Sequence, residues 1–464
     1  MYTHDTIAAL ATPSGHGGVA IIRVSGSQAE AIARKVFILS RPRETFVSHR
    51  FYLGQIVDPL TNIPLDQGLL VLMHAPRSYT GEHVVEIHCH GGVLLSRRIL
   101  EAVLSQGARL ALPGEFTQRA FLNNRLDLSQ AEAVLDLIYA KSDRGLQIAW
   151  HQLSGRLSEA CASFRERLIS ITAYVEAFLD FPEDDIPEKA QTELCEEMQK
   201  LADDLASLSD TFRQGKVFRE GIRTAIIGKP NVGKSSLLNL LSGTERAIVT
   251  PVPGTTRDVL EETVTINSIP LLIWDTAGIR HTTDEVERIG VERALEGLHA
   301  AEIVIAMFDA SQPLDEEDEL VFSLVKEKNT IPVLNKGDLP VVVQPQEIAL
   351  YLSGHLPVVF STKAATGISE LGERIEKIAF GSGSRQDSAS PFSGAIVTQV
   401  RHRDALLKAE QGLRQSYVSL QNGVPLDLVA VDLHVALDHI GAITGHVSSE
   451  DILDRIFRDF CIGK

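Results

Sequence analysis

The sequence predicts a multidomain protein of α/β and all-α parts: an N-terminal α/β domain, a helical domain, and a Ras-like P-loop domain inserted into the helical one. Three observations predict this. Just past the middle, the apolar run Thr224-Ala225-Ile226-Ile227 leads into Gly228-Lys229-Pro230-Asn231-Val232-Gly233-Lys234-Ser235-Ser236, followed by the helical start Leu237-Leu238-Asn239-Leu240-Leu241. Strand and helix alternate around that loop, from about 216 to 378. Helical sequence flanks this stretch on both sides, as expected where one domain is inserted into another whose termini lie close together. A chain of 464 residues is too long for one ordinary core. The expected divisions are 1–120, 121–215, 216–378 and 379–464.

Composition bounds the class without naming the function. With 44% hydrophobic and 23% charged residues the chain reads as globular and soluble. No apolar run approaches the ~20 residues of a membrane span, so no membrane association is expected. Met1-Tyr2-Thr3-His4-Asp5 lacks the basic start and apolar core of a secretory signal. Cys89, Cys161, Cys195 and Cys461 are scattered, which fits a reducing cytoplasm better than a disulfide framework. A net charge of −17 disfavours unaided, sequence-blind binding to nucleic acid, while leaving room for a local basic patch.

In the first domain, Val19 to Val24 reads as a strand, Ala29 to Val36 as a helix and Leu69 to Met73 as a strand. Val84 to His90 alternates, so Glu86, His88 and His90 are expected on one strand face. No second ligand pair follows those histidines at a metal spacing, so the face reads as solvated. Val93 to Leu104 has helical periodicity. From about 121 the pattern is helical, broken by the acidic, proline-bounded loop Phe181 to Pro187. Leu194, Met198, Leu201, Leu205, Leu208 and Phe212 then form a heptad seam expected to pack on another helix. Residues 381–394 read as a low-complexity linker. Near the end, Ser448 to Asp451 forms a capping box, and Ile452, Leu453, Ile456, Phe457 and Phe460 are expected to line one face of the last helix.

The chemistry is concentrated in the central stretch. A glycine-rich turn between strand and helix directs backbone N–H groups at an anion, and the helix N-terminus adds positive potential. Lys234 would reach the β- and γ-phosphates and the Ser235 hydroxyl would ligate Mg²⁺. In Gly254-Thr255-Thr256-Arg257-Asp258, Thr256 is the expected second Mg²⁺ ligand. Arg257 reads as a loop-stabilising ion pair in preference to a catalytic finger. The apolar run Leu271 to Trp274 delivers Asp275-Thr276-Ala277-Gly278, with Asp275 on the metal's water shell and the Gly278 N–H near the γ-phosphate. Ile331 to Leu334 delivers Asn335-Lys336-Gly337-Asp338, whose Asp338 carboxylate would accept both N–H groups of a guanine edge. Ser361-Thr362-Lys363 is expected to contribute backbone contacts to the base. Ile279 stands where Ras-like enzymes carry a water-positioning Gln, so the attacking water needs help from elsewhere. Asn231 could hold a monovalent cation beside the phosphates, and Glu287 could orient the water.

Taken over its whole length, the chain resembles the MnmE (TrmE) family of tRNA-modification GTPases, within the wider TrmE-Era-EngA-YihA-Septin-like group. The resemblance is carried by Ala11-Thr12-Pro13 with Gly17-Gly18-Val19, Pro113-Gly114-Glu115-Phe116, Phe121-Leu122-Asn123 with Leu126-Asp127-Leu128, and Asp180-Phe181-Pro182. The guanine-nucleotide motifs and the ending Phe460-Cys461-Ile462-Gly463-Lys464 complete it. It implies an N-terminal folate-binding and dimerising domain, a helical domain and an inserted G domain. It implies a GTP hydrolase that, with the FAD-dependent MnmG as partner in a heterotetramer, adds an aminomethyl or carboxymethylaminomethyl group at the wobble uridine of certain tRNAs. The one-carbon unit would come from 5-formyl-tetrahydrofolate or a related tetrahydrofolate. By matching positions, GTP would be bound by Asn231, Val232, Gly233, Lys234, Ser235 and Ser236, with Thr250, Thr255, Thr256 and Asp275 to Gly278, and on the base side by Asn335, Lys336, Asp338 and Ser361 to Lys363. K⁺ would be held by Asn231, Thr250, Val252 and Thr255, and Mg²⁺ by Ser235 and Thr256, with Glu287 orienting the water. Folate would meet Arg23, Glu86, Arg125 and Lys464. Position 125 is Arg where some members have Lys, and the base motif reads Ser-Thr-Lys in place of Ser-Ala-Lys. Cys461 reads either as a nucleophile or as a folded-in core residue, and the resemblance favours a role in the modification chemistry. The alternative function is an Era-like ribosome-assembly switch.

Overall fold

The computed structural model describes residues 5–41, 46–180, 188–244, 262–274, 296–381, 394–447, 450–458 and 460–464. Backbone contacts divide the chain into two units: the residues up to Leu135 together with Leu437–Lys464, and Asp136–Ala436.

The first unit is built on a seven-stranded sheet of order β3-β4-β5-β6-β2-β1-β7. Its elements are β1 (Ile7–Leu10), β2 (Ala20–Ser25), α1 (Ala29–Val36), β3 (Phe37–Leu39), β4 (Phe51–Val57), β5 (Pro64–Met73), β6 (Val84–Cys89), α2 (Val93–Leu104), β7 (Arg109–Leu110) and α3 (Glu115–Leu122). Alternation along β2 and β6 sends Ile22, Val24, Val85 and Ile87 into a core with Ile32 and Val36 of α1 and Ile99 and Val103 of α2. Arg23, Glu86 and His88, half-buried, take the alternate positions. His90 departs from the expected strand: it lies beyond β6, exposed, with Nδ1 2.8 Å from Asp66 Oδ1. The turn at Gly91-Gly92 ends the pleat one residue before it.

α3 is held by charges far apart in sequence. The buried Arg119 guanidinium pairs with Asp5 (2.7 Å), Glu82 (3.1 Å) and Glu115 (3.0 Å), and Arg109 pairs with Asp5 and Glu115. The last helix, Glu450–Arg458, packs on α3. Gly114 has φ +67°, and a Cβ there would meet Phe457 O at 2.6 Å. Leu453, Phe457 and Phe460 are buried, but Ile452 is 39% exposed, so the apolar face is narrower than expected. Ser448, which would cap the expected Ser448–Asp451 box, lies outside the described residues.

The second unit contains the helices α4 (Leu128–Ile138, which begins in the first unit), α5 (Asp143–Leu153), α6 (Arg156–Asp180), α7 (Glu188–Asp210) and α8 (Phe212–Glu220). The heptad seam is real: Met198, Leu201, Leu205 and Leu208 of α7 are fully buried and Leu194 half-buried. Between α8 and the later helices runs a six-stranded sheet of order β13-β12-β11-β8-β10-β9. It is formed by β8 (Ile222–Ile227), β9 (Glu262–Ile266), β10 (Ile269–Trp274), β11 (Ile303–Asp309), β12 (Thr330–Asn335) and β13 (Val358–Val359). Its helices are α9 (Lys234–Thr244), α10 (Glu316–Val325), α11 (Pro345–Tyr351) and α12 (Ile368–Phe380). All neighbours are parallel except β9 and β10. Those two form a hairpin over Asn267 (φ +50°) and Ser268 (φ +63°), the left-handed pair that a two-residue turn of matching twist requires. The remaining helices are α13 (Val400–Gln421), which lies along α7, and α14 (Leu426–Thr444). The acidic loop 181–187 and linker residues 382–393 lie outside the described residues.

Burial alone would raise the Glu115 carboxyl, but hydrogen bonds from Arg109 and Arg119 override it and hold the group below the usual 4.5. A depressed carboxylate contributes stability that is present above its unfolded pKa and lost as pH falls through the folded one. Glu115→Gln, which leaves two arginines short of a partner, is expected to cost roughly 3 kcal/mol at pH 7. Thermal unfolding against pH should show a shallower loss below pH 4.5 in the variant than in the wild-type protein. Identical acid slopes would mean that Glu115 is not an ionised partner.

Candidate functional site

The centre of the parallel sheet ends in the glycine-rich loop. β8 lies between β10 and β11, and its carboxyl end passes directly into Gly228. Gly228 (φ +154°) approaches β11 so closely that a Cβ would overlap the Met307 carbonyl oxygen. At Gly233 (φ +108°) a Cβ would overlap Asn335 Nδ2. Neither position accepts a side chain, so the motif's glycines are required by packing as well as by backbone conformation. Asn231 sits at φ +60° with an exposed side chain, whereas Val232 is buried and anchors the loop. Lys234 opens α9, and its ammonium donates to the Gly228 (2.7 Å) and Lys229 (3.0 Å) carbonyl oxygens across the loop. Ser235 and Ser236 are exposed in the first helical turn. Backbone N–H groups, a lysine and a helix N-terminus are thus assembled as an anion cradle.

A second loop cluster is tied to the first through one side chain. Asn335, fully buried at the end of β12, donates from Nδ2 to Val232 O (2.7 Å) and accepts the Thr362 N–H at Oδ1 (3.1 Å). Lys336, at φ +64°, pairs with Asp309 at 2.6 Å. Burial would raise the Asp309 carboxyl, but that ammonium and the Ser311 donors hold it below the usual range. Asp338 is exposed, and its Oδ1 accepts the Ser361 hydroxyl at 2.7 Å. That bond, with the loop's own N–H, keeps the Asp338 carboxyl depressed. Asp338 therefore presents an ionised acceptor pair at the protein surface. Lys363 is exposed beside it. The structure brings Val232, Gly233, Asn335, Asp338, Ser361 and Thr362 together, and Asn335 is a brace between the two loops.

In the first unit, Arg23 and Glu86 are register partners on β2 and β6, joined at 2.9 Å. The Arg23 guanidinium lies over the Tyr79 ring at 5.3 Å and the Phe116 ring at 5.6 Å, and donates to Gly463 O at 3.3 Å. Gly463 has φ +101°, and a Cβ there would strike the Leu10 carbonyl oxygen. Burial, and then Arg23, push the Lys464 ammonium below the usual lysine range, with Glu86 acting the other way. The Cys461 carbonyl oxygen accepts the Gly114 and Lys464 N–H groups; its side chain is half-buried and in no disulfide. Arg125 sits differently. It is exposed, donates to Ser78 O at 3.2 Å, and lines an open cleft of about 420 Å³ with Asp127, Gln130 and His446.

Thr250, Val252, Thr255, Thr256, Asp275, Thr276, Ala277, Gly278 and Glu287 lie outside the described residues, as do Arg257 and Ile279. Among the described residues no group of three or more His, Cys, Asp or Glu is placed to hold a metal, and no helix is long and apolar enough to cross a membrane. Sequence reasoning placed His88 on a solvated face, whereas it is half-buried with Nε2 3.6 Å from Glu86 Oε2 beside the Arg23 pair, and it gave no role to Lys229, whose ammonium is buried. The polar position in an apolar strand signalled the first. Nothing local signalled the second.

Comparison with known proteins gives two family matches: residues 6–125 match the GTP-binding protein TrmE N-terminus, and residues 128–461 match the MnmE helical domain. A tRNA modification GTPase MnmE of Geobacter sulfurreducens is 50% identical over the full length of both chains. Proteins of the same name from Geobacter metallireducens and Clostridioides difficile are 46% and 45% identical, again over the full length of both chains.

Removing the brace should be costly. Asn335→Ala leaves a buried carbonyl and a part-buried N–H without partners, a loss of roughly 2 kcal/mol. The thermal midpoint of the variant is expected to fall by several degrees in a differential scan, and Asn335→Asp, which replaces the donor facing Val232 O with an oxygen, should fare no better. A midpoint within a degree of wild type would show that the two loops hold their positions without it.

Proposed function

The chain belongs to the MnmE family of tRNA modification GTPases, and from that premise we propose that it hydrolyses GTP at residues 228–236 to drive modification of tRNA. With an FAD-dependent partner, MnmG, it adds an aminomethyl or carboxymethylaminomethyl group to C5 of the wobble uridine, using a tetrahydrofolate one-carbon unit. It acts as a homodimer within a heterotetramer, with residues 216–378 as the G domain and 1–120 as the folate domain. The observation that carries the GTPase reading is the Asn335 brace, which fixes the anion cradle and the Asp338 acceptor pair relative to each other.

Each residue then has a task. Lys234 transfers its ammonium from the loop carbonyls to the β- and γ-phosphate oxygens. Asp338 accepts the two guanine N–H groups, and adenine, with no matching donors, leaves that carboxylate unpaired. Lys336 and Thr362 shape the base loop. Ser235, exposed in the first turn of α9, would hold Mg²⁺ together with Thr256, and the ion would supply charge neutralisation. Asn231, turned outward at positive φ, fits K⁺ together with groups at Thr250, Val252 and Thr255. Glu287 orients the attacking water that Ile279 cannot hold.

On the first unit, Arg23, Glu86 and Lys464 converge on one side of the sheet and supply donors and acceptors suited to a pterin and its carboxylate tail. Arg125, on the neighbouring turn beside Tyr79, reaches the same ligand from its own side. Cys461, whose backbone seats the final residues, takes part in the modification chemistry.

GTP turnover is expected to rise about tenfold or more when Na⁺ is replaced by K⁺ at constant ionic strength. Asn231→Ala should abolish that rise while leaving the slow Na⁺ rate. Steady-state phosphate release in the two salts measures both. Turnover indifferent to the cation would rule out the role given to Asn231.

A further inference from the structure

The glycine-rich loop carries a second lysine whose side chain leaves the loop. Lys229 is only 8% exposed, and its ammonium lies 2.8 Å from Asp315 Oδ2 and 2.7 Å from Asp318 Oδ2. Asp315 is the N-cap of α10, with Oδ1 accepting the Glu317 and Asp318 N–H groups. Asp318 is 1% exposed; its Oδ2 accepts the Asp315 N–H, and its Oδ1 is buried with no hydrogen-bond partner among the described residues. The charge of Asp318 is therefore compensated by Lys229 above all. Burial alone would lower the lysine's pKa, but the two carboxylates carry it above the ordinary value, so the ammonium stays charged. On the backbone side, the Lys229 carbonyl is bonded by Lys234, and the preceding Gly228 rests on β11.

We propose that Lys229 is a positioning residue of the nucleotide site. Pinned between Asp315 and Asp318, it fixes the backbone path of the glycine-rich loop against α10 and so sets guanine-nucleotide affinity without touching the nucleotide. Its ammonium is committed to α10 and is not available to a phosphate, which separates its role from that of Lys234. A lysine kept only for solubility would be exposed, and one kept only for the helix cap is unnecessary, because Asp315 and Asp318 complete a capping box between themselves. What the lysine adds is a link from that cap to the loop. Small displacements of N–H groups around an anion are costly, because each donor must point at an oxygen.

This inference rests on reading residues 228–236 as the phosphate site, and the test separates the two. Binding of mant-GDP with Mg²⁺ and steady-state GTP turnover are measured for the full chain as wild type, Lys229→Met, Lys229→Arg and Asp318→Asn. Lys229→Met is expected to weaken mant-GDP binding about tenfold or more and to raise KM for GTP correspondingly, with a smaller change in kcat. Lys229→Arg, which keeps a cation between the carboxylates, should recover most of the affinity. Asp318→Asn, nearly isosteric, should weaken binding in the same direction, and it decides the matter if Lys229→Met does not fold. Binding within twofold of wild type in a folded Lys229→Met or Asp318→Asn protein would overturn the proposal. So would Lys229→Arg binding no better than Lys229→Met. Wild-type protein that fails to bind mant-GDP would instead remove the nucleotide-site reading itself.

Discussion

The first unit depends on one guanidinium. Arg23 joins Glu86 on the adjacent strand to the carbonyl of Gly463, 440 residues away in sequence. Around that contact the final residues are laid between β1 and α3, where only glycine fits at 463. The sheet is thus contacted by the opposite end of the chain. The entropic cost of closing so long a loop grows only logarithmically with its length, so a large folded insertion can be carried between the two ends. Such an insertion is what the chain shows, with Asp136–Ala436 lying in sequence between the two segments of the other unit.

A comparable economy governs the glycine-rich loop. The residues that face a phosphate are few and contiguous, but those that hold the loop come from three other segments. Met307 on β11 sets how closely the first glycine approaches, Asn335 on β12 binds the loop's far end to the base-side cluster, and Asp315 with Asp318 at α10 grips Lys229. The loop's backbone is therefore held from three sides, and Asn231, at positive φ, is exposed as Ser235 and Ser236 are.

Much of this was legible in the residues. β2, α1, α2, β8, β11 and β12 are marked by continuous apolar runs or helical spacing, and the seam of α7 by its heptads, because burial on that scale leaves a period that needs no partner to be seen. β1 and β9 are short and mixed, and the hairpin after β9 turns on Asn-Ser where Asn-Gly would have announced it. β4 escaped because Gly54 and Gln55 interrupt its apolar positions. His90 was drawn into a strand that Gly91-Gly92 closes early. At the candidate sites, the residues expected to meet a ligand follow from motif chemistry. The residues that support them, such as Arg119 and Lys229, do not, because Asp5, and Asp315 with Asp318, lie far away in sequence and the fold alone brings them together.

Whether the two units serve tRNA modification is tested most directly by nucleoside mass spectrometry of tRNA from cells lacking this protein. Loss of the C5-modified wobble uridine, with recovery on expressing the intact chain and none on expressing Asp338→Ala, is the predicted result. Unchanged wobble nucleosides accompanied by a defect in ribosome assembly would contradict it and favour an Era-like switch.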